Sequence, residues 1–289
     1  MIISHVSIIL PTYNGEKYLA SAIRSVLAQS YDSWELLIFD DCGGDQSLAI
    51  ADEFASSDSR IRVSRSVKNR GLYGTLNDAI DDCRGQWIVI LMQDDELKPD
   101  HLQTMVDFAE RFPVADAIWA EVELIDETGT PISAGKSTGK VELIEPTVEA
   151  WLSCLLRGCI WTISGSCTRA SHLRDYRFRA DLPHASDFEF LLRTIRSVPM
   201  VYYERPLTVI RIHAEQTTNT HAIVSRDLIE YRTILLEQCG QHRADLSSRQ
   251  WSKLRRIYRL RFLRRAASRL RAYDARGAFV ALKHLLGSA

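Results

Sequence analysis

The sequence predicts an α/β fold. A mixed, mainly parallel sheet is flanked by helices and followed by a C-terminal helical extension rich in basic residues. Three observations predict it. Short apolar runs alternate with helical stretches through the first 112 residues, the pattern of βαβ units. Two of those runs end close to adjacent carboxylates, Asp40-Asp41 and Asp94-Asp95. Such a position is the C-terminal edge of a strand, where open α/β sheets bind ligands. The charge is also split: residues 241–289 carry a net +11 and the remainder a net −12, within a total of −1.

The elements follow in order. Residues 6–10 are apolar and β-branched, and read as a buried strand that Pro11 to Gly15 breaks. Leu19, Ile23, Val26 and Leu27 fall at helical spacing over 18–27. Residues 34–39 are a second strand, 46–54 a helix, and 61–63 a third strand. Asn69 and Gly71 open a helix through Leu76, Ala79 and Ile80, and Gly85 ends it. Residues 87–92 form the fourth strand and 99–112 a helix. Near-continuous apolar strands fit a sheet covered on both faces. Beyond Pro113 the pattern turns to mixed α+β: strands at 117–124, 160–167 and from 200, helices at 149–156 and 187–196. From Val224 the chain reads as helix to its end. There Leu254, Ile257, Leu260, Leu263, Ala267 and Leu270 recur every three or four residues, with arginines mostly off that stripe.

The chain has 289 residues, 46% hydrophobic and 25% charged, as ordinary globular proteins are. No apolar run approaches the length of a membrane span, and the N-terminus lacks the marks of a secretory signal. A cytoplasmic protein is expected. The six cysteines match neither a zinc site nor a disulfide framework, so free thiols are expected.

Paired carboxylates at strand ends can hold a hard divalent cation shared with phosphates, which suggests a site for a metal-bound nucleotide. Helix capping is the simpler alternative, since Asp favours N-caps. The order of motifs is more specific than either pair. It runs Pro11-Thr12-Tyr13-Asn14, then Asp40-Asp41-Cys42-Gly43-Gly44-Asp45, then Asn69-Arg70-Gly71 with Asn77 and Gly85. Asp94-Asp95 with Pro99, Ser186-Asp187 and Arg211-Ile212-His213 complete it. Over residues 5–215 this order resembles the family 2 glycosyltransferases, inverting enzymes of the GT-A fold that use nucleotide sugars.

The resemblance implies a division of the chain. Residues 1–112 would be the nucleotide-sugar-binding half, 113–222 the acceptor-binding half of the same GT-A domain, and 223–289 the helical basic extension. It also implies roles. Pro11 and Tyr13 line the nucleotide, Tyr13 by stacking on the base. Asp41 accepts from the N–H of uracil or thymine, which favours a UDP- or dTDP-sugar, while Asp40 fixes its loop. Asn69 and Arg70 form a restricted turn near the donor. The family's metal motif is Asp-x-Asp-Asp, and Met92 stands at its first position. Asp95 is the expected ligand of Mn²⁺ or Mg²⁺, Asp94 contacts ribose or orients the ligand, and His213 is a further ligand. Asp187 is the expected base, since a carboxylate at a helix N-terminus is held as the anion. Glu189 is its rival. The acceptor would be a glycan or lipid-linked sugar of cell-envelope, O-antigen or capsule synthesis, chosen by residues around 115–185 that include Trp151, Trp161 and His184.

Two other classes stay open. Met92 and Ser186 stand where the family has acids, which suits a catalytically inactive sugar-nucleotide or glycan-binding module. A nucleotidyltransferase also holds nucleotide and metal at strand ends, but Pro11 to Lys17 offers only Gly15 for a phosphate loop. The basic helix at 250–271 suits docking on its own body, a dimer contact, or attachment to an anionic membrane on the inner face of the plasma membrane. No nucleic-acid partner is expected, because no nucleic-acid-binding motif accompanies the charge.

Overall fold

The computed structural model describes residues 5–157, 161–214 and 224–271. Its elements begin β1 (Val6–Thr12), α1 (Leu19–Leu27), β2 (Trp34–Asp40), α2 (Ser47–Ser57), β3 (Ile61–Arg65), α3 (Leu72–Asp82) and β4 (Trp87–Ile90). They continue β5 (Glu96–Leu97), α4 (His101–Arg111), β6 (Ala117–Ile125), β7 (Pro131–Ser133), β8 (Val141–Ile144), α5 (Val148–Arg157), β9 (Cys167–Arg169) and α6 (Ala170–Asp175). The last are α7 (Ser186–Ser197), β10 (Met200–Arg211), α8 (Val224–Gln241) and α9 (Ser248–Arg271). The described residues fall into two compact units. One is drawn from Met1–Pro146 and Trp161–His213, the other from Thr147–Ile160 and Ala214–Ala289.

The first unit is a sheet with helices, as the alternation of elements requires. Strand order is β3-β2-β1-β4-β9-β6-β10-β5, with β7 on β6 and β8 on β10. The first four strands are mutually parallel: Val6 pairs with both Trp34 and Trp87, and Leu36 with Ile61. Every residue of β1 and β2 is buried, which explains why both read as near-continuous apolar runs. The second half is mixed. Strand β9 runs antiparallel to β4 and β6, while β6 and β10 are parallel. The core under the first strands is built from Ile8, Leu10, Ile23, Val26, Leu36, Ile38, Val89 and Leu102. Their burial, at about 25 cal/mol per Å² of apolar surface, is the main force holding the sheet.

Several boundaries differ from the sequence expectation. The strand expected at 160–167 occupies Cys167–Arg169 instead. Gly165, two residues before it, has φ +78°, outside the range of an extended strand. The short strands β5, β7 and β8 and helix α6 carry too few residues to show a period. Residue 160 of the expected strand lies outside the described residues.

In the second unit, Trp151 is fully buried and its Nε1–H donates to Gln238 Oε1 at 3.3 Å. Tyr258 donates from its hydroxyl to the carbonyl of Leu155 at 3.0 Å. The single helix expected from Val224 onward is two helices. A 3-10 turn at Arg243–Asp245 separates them. Ser247 and Gln250 then start α9 reciprocally: Ser247 N–H donates to Gln250 Oε1 at 2.9 Å and Gln250 N–H to Ser247 Oγ at 3.3 Å. This Ser-x-x-Gln capping box was visible in the sequence and marks a helix start. Residues 272–289 of the expected helix lie outside the described residues. No described helix is long and apolar enough to cross a membrane.

Five described cysteines are free thiols, and burial pushes those of Cys83 and Cys154 up to about 12. Cys159 lies outside the described residues.

Buried His101 gives the first unit a pH dependence. It is fully buried, its Nδ1 lies 3.1 Å from the carbonyl of Leu207, and its Nε2 has no partner. Burial lowers its pKa to about 4, against about 6.5 in an unfolded chain. The fold therefore holds His101 neutral. Its contribution is complete above pH 6.5 and is lost as pH falls toward 4, because the unfolded chain binds the proton first. The loss is at most about 3 kcal/mol. Chemical denaturation of wild type and His101→Gln across that window should show a shallower fall in the variant. Parallel curves would remove His101 from the account.

Candidate active site

The C-terminal ends of β1, β2 and β4 lie together because the strands are parallel and in register. Pro11 is buried and pairs with Phe39, and Thr12 pairs with Asp40. The loop after β1 is then tied to the loops beside it. Gln93 Oε1 accepts from Thr12 Oγ1 at 2.8 Å and from Tyr13 N–H at 2.9 Å. Asn14 Oδ1 accepts from Gly44 N–H at 2.9 Å. Tyr13 itself stays 49% exposed, so its ring is open to a flat ligand. Gln93 escapes a search for acids and bases; its position between Met92 and Asp94 was the available signal.

Asp41 is buried and holds the turn beyond β3. Its Oδ1 accepts from Arg70 N–H at 2.7 Å and its Oδ2 from Gly71 N–H at 2.8 Å. Asn69 Oδ1 adds a third acceptor for that turn, 3.0 Å from Gly71 N. Gly71, at φ 71° and ψ 163°, occupies backbone space that is essentially confined to glycine. The Arg70 side chain lies 3.2 Å from Asp78, with both partly exposed. Asp40 lies 3.4 Å from Arg65 and its Oδ1 accepts from Gly43 N–H at 3.4 Å. Burial raises its pKa.

Helix α3 carries this turn onward to α7. Tyr73, two residues after Gly71, places its hydroxyl 3.4 Å from Asp187 N. Asn77 exchanges two hydrogen bonds with Phe178, at 2.8 and 3.0 Å. The N-terminus of α7 is thereby fixed against the helix that Asp41 anchors. Asp187 is half-buried in the first turn of α7, and its Oδ1 accepts from Phe188 N–H at 2.7 Å. Its neighbour Ser186 is fully buried and accepts from Arg179 N–H at 2.7 Å. Glu189 is buried and makes two bonds to the Arg193 guanidinium, at 2.8 and 2.9 Å. That pairing engages both of its oxygens.

The acidic turn after β4 is closed by β10. Strand β5 pairs antiparallel with β10, Glu96 opposite Val209, which brings Arg211 to the turn. Arg211 N–H donates to Asp95 Oδ1 at 3.0 Å, and its guanidinium to Glu96 at 2.7 Å and the Asp94 carbonyl at 3.3 Å. Two residues on, His213 Nε2 meets Asp94 Oδ2 at 3.0 Å. The Tyr18 ring packs on both, 4.7 Å from the Arg211 guanidinium and 5.1 Å from the His213 ring. The His213 contact therefore falls on Asp94, while Asp95 points inward and is 4% exposed. Burial, and then the charge of Asp94, raise the pKa of the Asp95 carboxyl.

Among the described residues, no group of three or more His, Cys, Asp or Glu side chains is placed to hold an ion. The donor chemistry still fits one. A small hard cation commonly takes one or two carboxylates from the protein and the rest from substrate phosphates and water. Asp94 and His213 offer an oxygen and an imidazole nitrogen 3.0 Å apart, and imidazole suits Mn²⁺.

Two residues expected near the acceptor are core residues. Trp151 is fully buried, and Trp161 is 3% exposed and stacks on Phe190 at 5.6 Å. Neither presents a face to a sugar.

Comparison with known proteins bears on the family and the fold. Residues 7–150 match the model of glycosyl transferase family 2. An uncharacterized glycosyltransferase of Haemophilus influenzae is 25% identical over 227 residues, 75% of this chain and 68% of that protein. TuaG of Bacillus subtilis, named for teichuronic acid biosynthesis, is 32% identical over 127 residues, 44% of this chain and half of that protein. Among solved structures, S. aureus TarS 1–349 in complex with UDP-GlcNAc superposes with a TM-score of 0.65 at 17% identity. The match covers 98% of this chain and 92% of that one. At that identity the likeness establishes the fold, which is GT-A.

Proposed function

The chain belongs to glycosyl transferase family 2, and from that premise we propose that it moves a sugar, with inversion, from a uridine or thymidine diphosphate donor to a hydroxyl. The acceptor would be a glycan or a lipid-linked sugar in cell-envelope polysaccharide synthesis. The observation that carries this reading is the contact between Asp94 and His213. It joins residues 119 apart in sequence at the edge of the sheet where nucleotides bind.

Each residue then has work its position suits. Tyr13 stacks on the base. Asp41 spends one lone pair of each oxygen on the Arg70–Gly71 turn. A carboxylate has about four such sites, so it can also accept the N–H of uracil or thymine. Asn69 and Arg70 shape the wall beside the donor. Asp94 and His213 would hold Mn²⁺ or Mg²⁺, and Asp95, the ligand expected from the sequence, is better placed to fix the turn that carries them. The ion would offset the charge that grows on the departing diphosphate. Asp187 takes the proton of the acceptor hydroxyl as that oxygen attacks the anomeric carbon opposite the diphosphate. One bond forms and one breaks on opposite faces, so configuration inverts.

Two comparisons support the donor and the setting: TarS was solved with UDP-GlcNAc, and TuaG is named for an envelope polymer. A cytoplasmic setting is part of this proposal. A panel of UDP-, dTDP- and GDP-sugars, each with Mn²⁺ or Mg²⁺, tests the reading by thermal shift and by release of nucleoside diphosphate. A donor at about 100 times its Kd stabilises the fold by about 2.7 kcal/mol. Metal-dependent stabilisation and slow release with a uridine or thymidine donor are expected. Stabilisation without any turnover, with acceptor extracts present, would favour the binding module. A folded protein that responds to no donor would end the proposal.

A further inference from the structure

The apolar stripe of α9 does not stay on one side of the helix. Leu254, Ile257, Leu260 and Leu263 are spaced by three. At about 100° per residue each step falls about 60° short of a full turn, so three steps carry the stripe about 180° around the axis. The burial follows that drift. Leu254 is 1% exposed and Ile257 half-buried, whereas Leu260 and Leu263 are 42% and 43% exposed. From Leu254 to Leu263 the stripe passes from packed inward to solvent.

It ends among cations. Residues 248–271 contain ten Lys and Arg and no Asp or Glu, so the helix cannot neutralise itself. Lys253, Arg255, Arg256, Arg259 and Arg264 are all exposed. Arg256 and Arg259 precede Leu260 and Leu263 by four residues, which places each on the same face as its leucine. The outer face of α9 is thus two leucines set within arginines and a lysine.

We infer that this face docks on the surface of an anionic lipid bilayer, the leucines entering the acyl boundary and the cations meeting lipid phosphates. The chemistry selects this occupant. A nucleic-acid backbone would pair the charges but leave the leucines unused. A second copy docking its own α9 would oppose like charges across the two-fold axis. A bilayer with anionic headgroups takes both groups at once, and long basic side chains keep their charge at the interface while their stems lie along the apolar layer. The inference does not depend on the donor or acceptor, so it stands or falls apart from the transferase reading.

The test is sedimentation of the full chain with vesicles, either equal parts phosphatidylglycerol and phosphatidylcholine or phosphatidylcholine alone. Binding to the anionic vesicles is expected, with little to the neutral ones, and salt should release it. Each basic residue near an anionic surface contributes on the order of fivefold. Arg255→Gln, Arg256→Gln and Arg259→Gln together should therefore weaken binding on the order of 100-fold. Leu260→Ser with Leu263→Ser should weaken it on the order of tenfold. All five side chains are exposed, so both variants should fold, as circular dichroism and donor-dependent thermal shift can show. Equal binding to both vesicles, binding unchanged in both variants, or no binding would each overturn the inference. So would retention on duplex or single-stranded nucleic acid, or self-association through α9, without vesicle binding.

Discussion

Asp187→Asn is expected to lower kcat by about 10²- to 10⁴-fold, the usual contribution of a positioned general base, with donor binding nearly unchanged. Asn keeps the shape and an oxygen that can accept from Phe188 N–H, now 2.7 Å from Asp187 Oδ1. It cannot take a proton. The helix N-terminus favours the anion at this site, and half-burial leaves the carboxylate within reach of an incoming hydroxyl. Glu189→Gln is the control. Glu189 is locked to Arg193 by two bonds, so its loss leaves a partly buried guanidinium short of its counter-charge. Breaking a buried pair costs about 3–5 kcal/mol, and about a quarter of the Arg193 side chain is still exposed, so the low end applies. Glu189→Gln should lower Tm and leave kcat per folded molecule close to wild type. The measurement is kcat on folded protein together with donor-induced thermal shift for both variants. Wild-type turnover in Asp187→Asn would remove it as the base.

The second large effect lies at the acidic turn. Asp94→Asn and His213→Asn should each abolish the Mn²⁺-dependent thermal stabilisation given by the nucleotide and lower turnover on the order of 10³-fold. That corresponds to several kcal/mol of charge stabilisation. Their double variant should be little worse than either alone, because residues that act as a unit are not additive. Asp95→Asn separates the two assignments of this turn. Asn retains an oxygen for Arg211 N–H, now 3.0 Å from Asp95 Oδ1, so the turn should survive. If Asp95 only fixes the turn, the metal response persists. If Asp95 ligates the ion directly, the response is lost as fully as in Asp94→Asn. The readout is the midpoint of Mn²⁺ titration followed by melting of the nucleotide complex, and it requires no acceptor.

Much of this was legible in the chain. Asp41, Asp94 and Asp95 could be placed at a sheet edge because an apolar run that ends near carboxylates has few other meanings in an α/β pattern. Asn77 could be singled out by its place in the motif order, though its partner Phe178 could not. The Glu189–Arg193 pair was readable as an i, i+4 contact on one helix face. So was the Ser247-x-x-Gln250 capping box that divides the C-terminal helices. The turn of the α9 stripe was readable too, since a repeat of three rotates where a repeat of three and four does not.

The sequence by itself determined the kinds of element, their order through β4, and which carboxylates stand at strand ends. Local periodicity and turn chemistry carry that information over a few residues. Only the tertiary structure decided which of two adjacent acids His213 meets, and that both oxygens of Asp41 hold the Arg70–Gly71 turn. It also decided that Trp151 and Trp161 are core. These outcomes depend on pairing across the sheet, Glu96 opposite Val209 above all, and on side-chain direction within a turn. Neither leaves a periodic trace in the chain, because contacts between residues 29 to 119 positions apart are set by how whole elements pack.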